Sequence, residues 1–188
     1  MYITHDTEIA LITATGLVNT ARNGADTLTG PTALAAFLDE CNYSGFRAGT
    51  TEEWQSVKAL RSRVRAVWDT SDRATAARIV NGLLREANAL PQLTDHDDWD
   101  WHLHFTDPHA PLVHRLGAEA AMGLADVVRQ DDLDRLRHCA APDCDAVLVD
   151  LSRNRSRRFC DTGNCGNRLA AAAYRARRGR GATKAADG

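Results

Sequence analysis

No run in this 188-residue chain is long and apolar enough to span a bilayer, and its start lacks the pattern of a secretory leader. The stretch Ile9 to Val18 is broken by threonines and too short to cross. Asp6 and Glu8 stand where a leader would carry Lys or Arg. These absences predict a cytoplasmic protein with no membrane partner. Catalytic signatures are also missing: no nucleophile elbow with its His and Asp, no glycine-rich phosphate loop, no His-Glu-x-x-His. The acidic turn Asp95 to Asp100 lacks the ligand spacing of a calcium loop. No internal repeat is found, and a protein without enzymatic activity is expected. Cysteine is scarce and odd in number, five in all. That argues against a disulfide framework, which needs an even set in an oxidising compartment.

Of the residues present, 44% are hydrophobic, enough for a true core in one ordinary domain plus a small appendage. The overall charge of -2 hides a division. Residues 1–134 hold 11 Lys+Arg against 20 Asp+Glu, a net -9, whereas residues 135–188 hold 12 against 5, a net +7. An acidic body repels phosphate and a basic end attracts it.

The first part reads as mainly helical. A helix is expected over Asp6 to Arg22, with Gly16 interrupting its regularity, then a loop through Asn23-Gly24 and Gly30-Pro31. Pro31 suits the first turn of a helix over Thr32 to Cys41. Thr50 or Thr51 opens another, burying Trp54, Val57, Leu60, Val64 and Val67 or Trp68, with Arg61, Arg63 and Arg65 on its other sides. Ser71-Asp72 opens a fourth that Pro91 ends. Trp99, Trp101, Leu103 and Phe105 alternate with Asp98, Asp100, His102 and His104, which predicts a strand with one aromatic face, paired with Gln92-Leu93-Thr94. Leu112 to Arg129 returns to helix, and Asp131 or Asp132 caps a short one leading to Arg135. Cys41 reads as a small buried hydrophobe.

The remaining cysteines form two close pairs, Cys139-x4-Cys144 and Cys160-x4-Cys165, fifteen residues apart. That spacing supplies four thiolates to one structural zinc ion and leaves no open position for a reacting water. Ala146 to Val149 is expected as a strand paired with Arg157 to Phe159 through a basic turn at Ser152 to Ser156. A helix over Asn167 to Arg178 and a Gly/Ala-rich disordered tail follow. The fold class is therefore mainly α: a helical N-terminal domain (1–134) with a small β-hairpin, a treble-clef or zinc-ribbon-like four-cysteine zinc finger (135–180) ending in a helix, and a tail (181–188).

Arginines surround the finger. Arg168, Arg175 and Arg178 share one side of the last helix, and Arg153, Arg155, Arg157 and Arg158 come from the basic turn. With Asn154 and Asn167 they make a candidate nucleic-acid surface, because the planar guanidinium suits phosphate and guanine edges. Asn167 reads equally as a helix cap. DNA is the expected partner. RNA, or an acidic protein, is the alternative for the same zinc-stabilised module.

Cys165-Gly166-Asn167-Arg168, preceded by Cys139-Ala-Ala-Pro-Asp-Cys144 and by Asp150-Leu-Ser152-Arg-Asn154-Arg-Ser-Arg157-Arg-Phe159-Cys160, closely resembles the bacterial CGNR zinc-finger proteins over about residues 135–180. In that family the finger follows a helical module called ABATE, whose early Val-Asn-Thr signature Leu17-Val18-Asn19-Thr20 resembles. The resemblance implies a stress-responsive transcription regulator, with a finger thought to bind DNA and a module thought to sense a ligand. Members often carry aromatics where this chain has Ala146 and Leu148, so phosphate contact is expected rather than base stacking. Trp99 and Trp101 read first as core. With His104, Asn19 and Thr20 they are the alternative candidates for lining an effector pocket. A homodimer on two half-sites is compatible with so small a finger.

Overall fold

The computed structural model describes residues 4–95 and 101–184, and for 178–184 the backbone alone. Trp99, with Asp98 and Asp100 of the expected strand, and the side chain of Arg178 lie outside the described residues.

The centre of the body is α5 (Leu112–Arg129), which packs against three other helices: α1 (His5–Asn19), α3 (Thr51–Arg65) and α4 (Arg73–Glu86). Small residues let these axes approach closely. A Cβ on Gly123 would lie 3.2 Å from Ala10 Cβ and 3.3 Å from Leu11 Cγ, so a side chain there would push α1 away. The helix starts are chemically legible. Thr4 Oγ1, Thr50 Oγ1 and Asp72 Oδ2 accept from the amides of Thr7, Glu53 and Thr75 at 3.3, 3.2 and 2.9 Å. Pro31 occupies the first turn of α2 (Pro31–Glu40). Gly16 does not break α1, and the ring of Phe37 packs 3.4 Å from where its Cβ would stand.

Several expectations need revising. Asn23-Gly24 is not an open loop. It is the turn of a minimal hairpin, β1 (Ala21–Arg22) with β2 (Ala25–Asp26), and both turn residues have positive φ. α4 ends before Pro91 reaches it, through Asn88 in the left-handed region and a bond from Ala89 N to Leu84 O. Arg61 does not point to solvent. It is buried, and pairs bidentately with Asp26 at 2.8 and 3.0 Å while also donating to Thr20. The Arg61 hydrogen bonds hold the Asp26 carboxyl far below the usual carboxylate range.

β3 (Gln92–Thr94) and β4 (His102–His104) pair as expected, Leu93 opposite Leu103. Their apolar face does not enter the core: Trp101 is 65% and Leu93 68% exposed. Alternation identifies a face but not what covers it.

The loop after α2 is fastened to α5. Arg115 donates to the carbonyls of Ala110, Ser44 and Phe46, and Tyr43 Oη donates to Glu119 Oε1 at 2.9 Å. Burial pushes the Glu119 carboxyl up to about 7 despite the Tyr43 hydroxyl and the Arg115 charge. A raised folded-state pKa means that the fold prefers the neutral acid. This contribution is therefore complete below the unfolded value and is lost as pH rises through about 7. Glu119→Gln keeps the acceptor for Tyr43 without the charge. Urea melts at two pH values should show it more stable than the parent by on the order of 1 kcal/mol at pH 8. At pH 4.5 the two should coincide. The residue keeps some surface, so solvent screening limits the effect.

Beyond α5, a 3-10 turn (Leu133–Arg135) replaces the expected capped helix. It leads into β5 (Leu136–His138), which pairs antiparallel with β6 (Val147–Val149). The predicted pairing of β6 with Arg157 to Phe159 is thus wrong. Leu136, Val147 and Val149 belong to the same apolar core as α1, α3 and α5. The finger's first hairpin is built into the body. A second small cluster holds the cysteines with Ala141, Ala146 and Leu148. α6 (Cys165–Lys184) starts two residues earlier and runs further than the helix expected over Asn167 to Arg178.

Candidate zinc centre and nucleic-acid surface

Cys139 leaves β5 and Cys144 closes a tight turn, Cys144 N donating to Ala141 O at 3.2 Å. Cys160 follows the basic turn, and Asn164, in the left-handed region, swings the chain so that Cys165 opens α6. Ala140 N donates to Arg158 O at 2.8 Å, which joins the two knuckles. The four Sγ atoms lie within 4.8 Å of one another, with Cys144–Cys160 and Cys160–Cys165 both at 3.7 Å. Sulfurs at ~2.3 Å from a tetrahedral zinc are about 3.8 Å apart, whereas bonded disulfide sulfurs are about 2 Å apart. The spacing fits a metal and excludes a disulfide.

The surroundings favour thiolates unevenly. Burial pushes Cys160 up to about 12 and also raises Cys144, while the Arg168 guanidinium, 3.4 Å from Cys165 Sγ, lowers Cys165. Protons held by the raised thiols must leave when a cation binds. Cys160 N donates to Cys139 Sγ at 3.4 Å. Gly163 is required sterically, since a Cβ there would lie 2.8 Å from Cys165 Sγ and 3.4 Å from Cys160 Sγ. Gly166 admits the Phe159 ring at 3.4 Å. Cys139, Cys144, Cys160 and Cys165 thus form a closed four-thiolate zinc-binding site.

The arginine coat divides into two groups. Arg155 is tied to Asp132 and Asp134 at 2.6 and 2.7 Å. Arg157 is paired with Asp161, and Arg168 is paired with Asp143 while touching Cys165. Asn154 accepts from Ser156 Oγ at 2.9 Å, and Asn167 donates to Asn164 Oδ1 at 2.8 Å, inside the turn that starts α6. Arg153, Arg175 and Arg177 are exposed and, among the described residues, have no carboxylate partner. Arg158 is exposed too and lies over the Phe159 ring. Residues 170–177 of α6 are exposed on every side, and Cys165–Lys184 contains no acidic residue.

Asp150 organises the basic turn, a role that the sequence alone does not assign to it. It is fully buried and accepts from Ser152 N, Ser152 Oγ and Arg157 N, and Arg137 pairs with it at 3.0 Å. Burial alone would raise its carboxyl, but these donors hold it below the usual range. The Asp-x-Ser pattern at the start of the turn is the available signal.

The effector candidates are dispersed. Asn19, 4% exposed, spends its whole side-chain amide on β6: Nδ2 donates to Val147 O and Oδ1 accepts from Val147 N, both at 2.8 Å. Thr20 Oγ1 donates to Leu17 O and accepts from Arg61. Trp101 and His104 lie on the β3–β4 hairpin. A cleft of about 750 Å³ separates the α3–α4 corner, Trp68 to Arg73, from the finger's Leu136, His138 and Arg155. A second cleft of about 160 Å³ lies between α1 and β6, and Asn19 lines it. Neither is lined by Trp101 or His104.

A helical body carrying a structural four-cysteine site at the start of a basic helix defines a zinc-finger protein. The CGNR zinc finger family matches residues 135–178, and the ABATE family, described as "putative stress-induced transcription regulator", matches residues 13–131. The chain belongs to the ABATE family and carries a CGNR zinc finger after the ABATE match. No curated protein matches it significantly. Both families are regulator or zinc-finger types, and among the described residues no helix is long and apolar enough to cross a membrane.

Proposed function

We propose that this protein is a cytoplasmic, non-enzymatic transcription regulator that binds duplex DNA through the finger at residues 135–180. In this reading an effector acts on the helical body, residues 1–134. The observation that carries the proposal is α6, a 20-residue helix without an acidic side chain, exposed all round from 170 to 177. A helix of that width enters the B-form major groove, whereas the deep, narrow major groove of A-form RNA excludes it. The phosphate contacts fall to Arg153, Arg158, Arg175 and Arg178, and Arg155, Arg157 and Arg168 serve mainly to hold the finger's shape. A homodimer on two half-sites gives so small a reader enough specificity. The effector reaches the finger through the cleft at the junction, because the α3–α4 corner touches both strands there: Trp68 Nε1 donates to Leu148 O of β6 at 3.0 Å, and Asp69 Oδ1 lies 3.2 Å from His138 Nε2 of β5.

A salt titration of duplex binding tests this reading. The logarithm of affinity should fall linearly with that of salt, by about 0.9 per phosphate contacted. Arg153→Ala, Arg158→Ala and Arg175→Ala should each reduce the slope by about one while leaving the thermal midpoint unchanged. Arg155→Ala should instead lower the midpoint. A flat salt response, or tighter binding to structured RNA than to duplex DNA, would overturn the assignment.

A further inference from the structure

The zinc site has a neighbour that belongs to the body rather than the finger. The tip of the β1–β2 hairpin grips the first knuckle immediately after Cys144: Asn23 N donates to Asp145 Oδ1 at 2.7 Å, and Asp145 N donates to Asn23 Oδ1 at 3.0 Å. Arg65 of α3 adds a bond to Asp145 O at 3.0 Å. The same hairpin reaches the second knuckle through Arg22. A Cβ on Gly163 would stand 3.0 Å from Arg22 Nη1 and 2.8 Å from Cys165 Sγ, so the guanidinium and that sulfur both border the space beside Gly163 and lie less than about 6 Å apart. The hairpin is itself braced, since Asp26 at its far end is held by Arg61 at 2.8 Å and by Lys58 at 2.9 Å.

Charge gives this arrangement a purpose. Four thiolates around a divalent cation leave a net charge of about -2, and Asp143, Asp145 and Asp161 flank the ligands. Arg168 is engaged by Asp143 and Arg157 by Asp161. Among the described residues the body brings two cations to this cluster: Arg65, which also pairs with Asp69, and Arg22, on the side of the second knuckle. We propose that the β1–β2 hairpin is an outer arm of the zinc site. Arg22 supplies counter-charge to the thiolates and Asn23 fixes the first knuckle, so zinc affinity in the finger depends on the body being docked against it. Neither residue ligates the metal. Both position it, as outer-sphere hydrogen bonds and charges do at other metal sites. By linkage, zinc occupancy tightens the docking of body and finger in return.

The test is zinc affinity of the full chain, measured by competition with a chromophoric chelator at fixed pH. Arg22→Gln is expected to weaken zinc about 10- to 100-fold, the range seen when outer-sphere partners are removed. Arg22→Lys, which keeps the charge, should recover most of that loss. Asn23→Gly keeps the positive φ of the turn and deletes only the side chain, so it should weaken zinc several-fold. Arg63→Gln, which removes an exposed pair with Glu86, should leave affinity unchanged. Affinities for Arg22→Gln and Asn23→Gly within twofold of the parent would overturn the proposal. Should Arg22→Gln not fold, Asn23→Gly and Arg22→Lys decide. A twofold-or-less effect in Asn23→Gly, or an Arg22→Lys variant weakened about 10-fold or more, would remove the hairpin or the charge from the account.

Discussion

Replacing Asn19 with Ala is expected to lower the stability of the whole protein by about 2–4 kcal/mol, although the side chain removed is small and touches no metal. Its amide completes both free hydrogen-bonding groups of Val147 on the edge of β6 that β5 does not use. Removing it strands a buried N–H and a buried C=O, each costing roughly 1–3 kcal/mol. For a chain of this size that corresponds to a fall of about 5–15 °C in the thermal midpoint. Hydrogen exchange should quicken at Val147 and Val149. Asn167→Ala, which loses an exposed bond to Asn164, should differ little from the parent. An Asn19→Ala midpoint within about 1 °C of the parent would mean that water replaces the amide at no cost, and the Asn19–Val147 pair would not hold β6 to α1.

Removal of zinc should produce the second large effect, and an uneven one. Structural zinc in finger peptides supplies apparent energies of about 10–16 kcal/mol, and the cluster around Ala141, Ala146 and Leu148 is too small to hold together alone. Chelation should therefore abolish order in the two knuckles, at 139–145 and 152–165, and cost α6 its anchored start. The body should survive with β5 and β6 still seated in it, because Leu136, Val147 and Val149, with Leu151 packed against them, belong to its core. Far-ultraviolet circular dichroism should fall by about the share of α6, and thermal unfolding of the remainder should stay cooperative. Cobalt in place of zinc should give intense sulfur-to-metal charge transfer that Cys144→Ala and Cys165→Ala each weaken. Complete unfolding on chelation would show that body and finger form a single cooperative unit.

Local chemistry is legible in the residues. Thr50, Asp72 and Pro31 announce their helices because capping depends on atoms three positions away, and the zinc ligands announce themselves through spacing. Readings fail where the deciding partner is remote in sequence. Asn19 looks like a ligand contact or a cap because Val147 lies 128 positions on. Leu136-Arg137-His138 carries no strand pattern, so Arg157 to Phe159 looks the better neighbour for β6. The arginine coat looks uniformly available because composition does not reveal that Asp143, Asp161, Asp132 and Asp134 neutralise part of it. Trp101 shows the converse error. Clean alternation reads as a buried face, yet Trp101 and Leu93 are both largely exposed.

The insertion of β6 beside α1 also bears on how the chain is made. During synthesis the helices up to Arg129 emerge first, yet the apolar centre they surround lacks Leu136, Val147 and Val149 until those residues clear the ribosome. Pairings so distant in sequence form late and slowly. The nascent body must wait with an open seam along α1, a period in which unpaired apolar surface invites aggregation or chaperone capture.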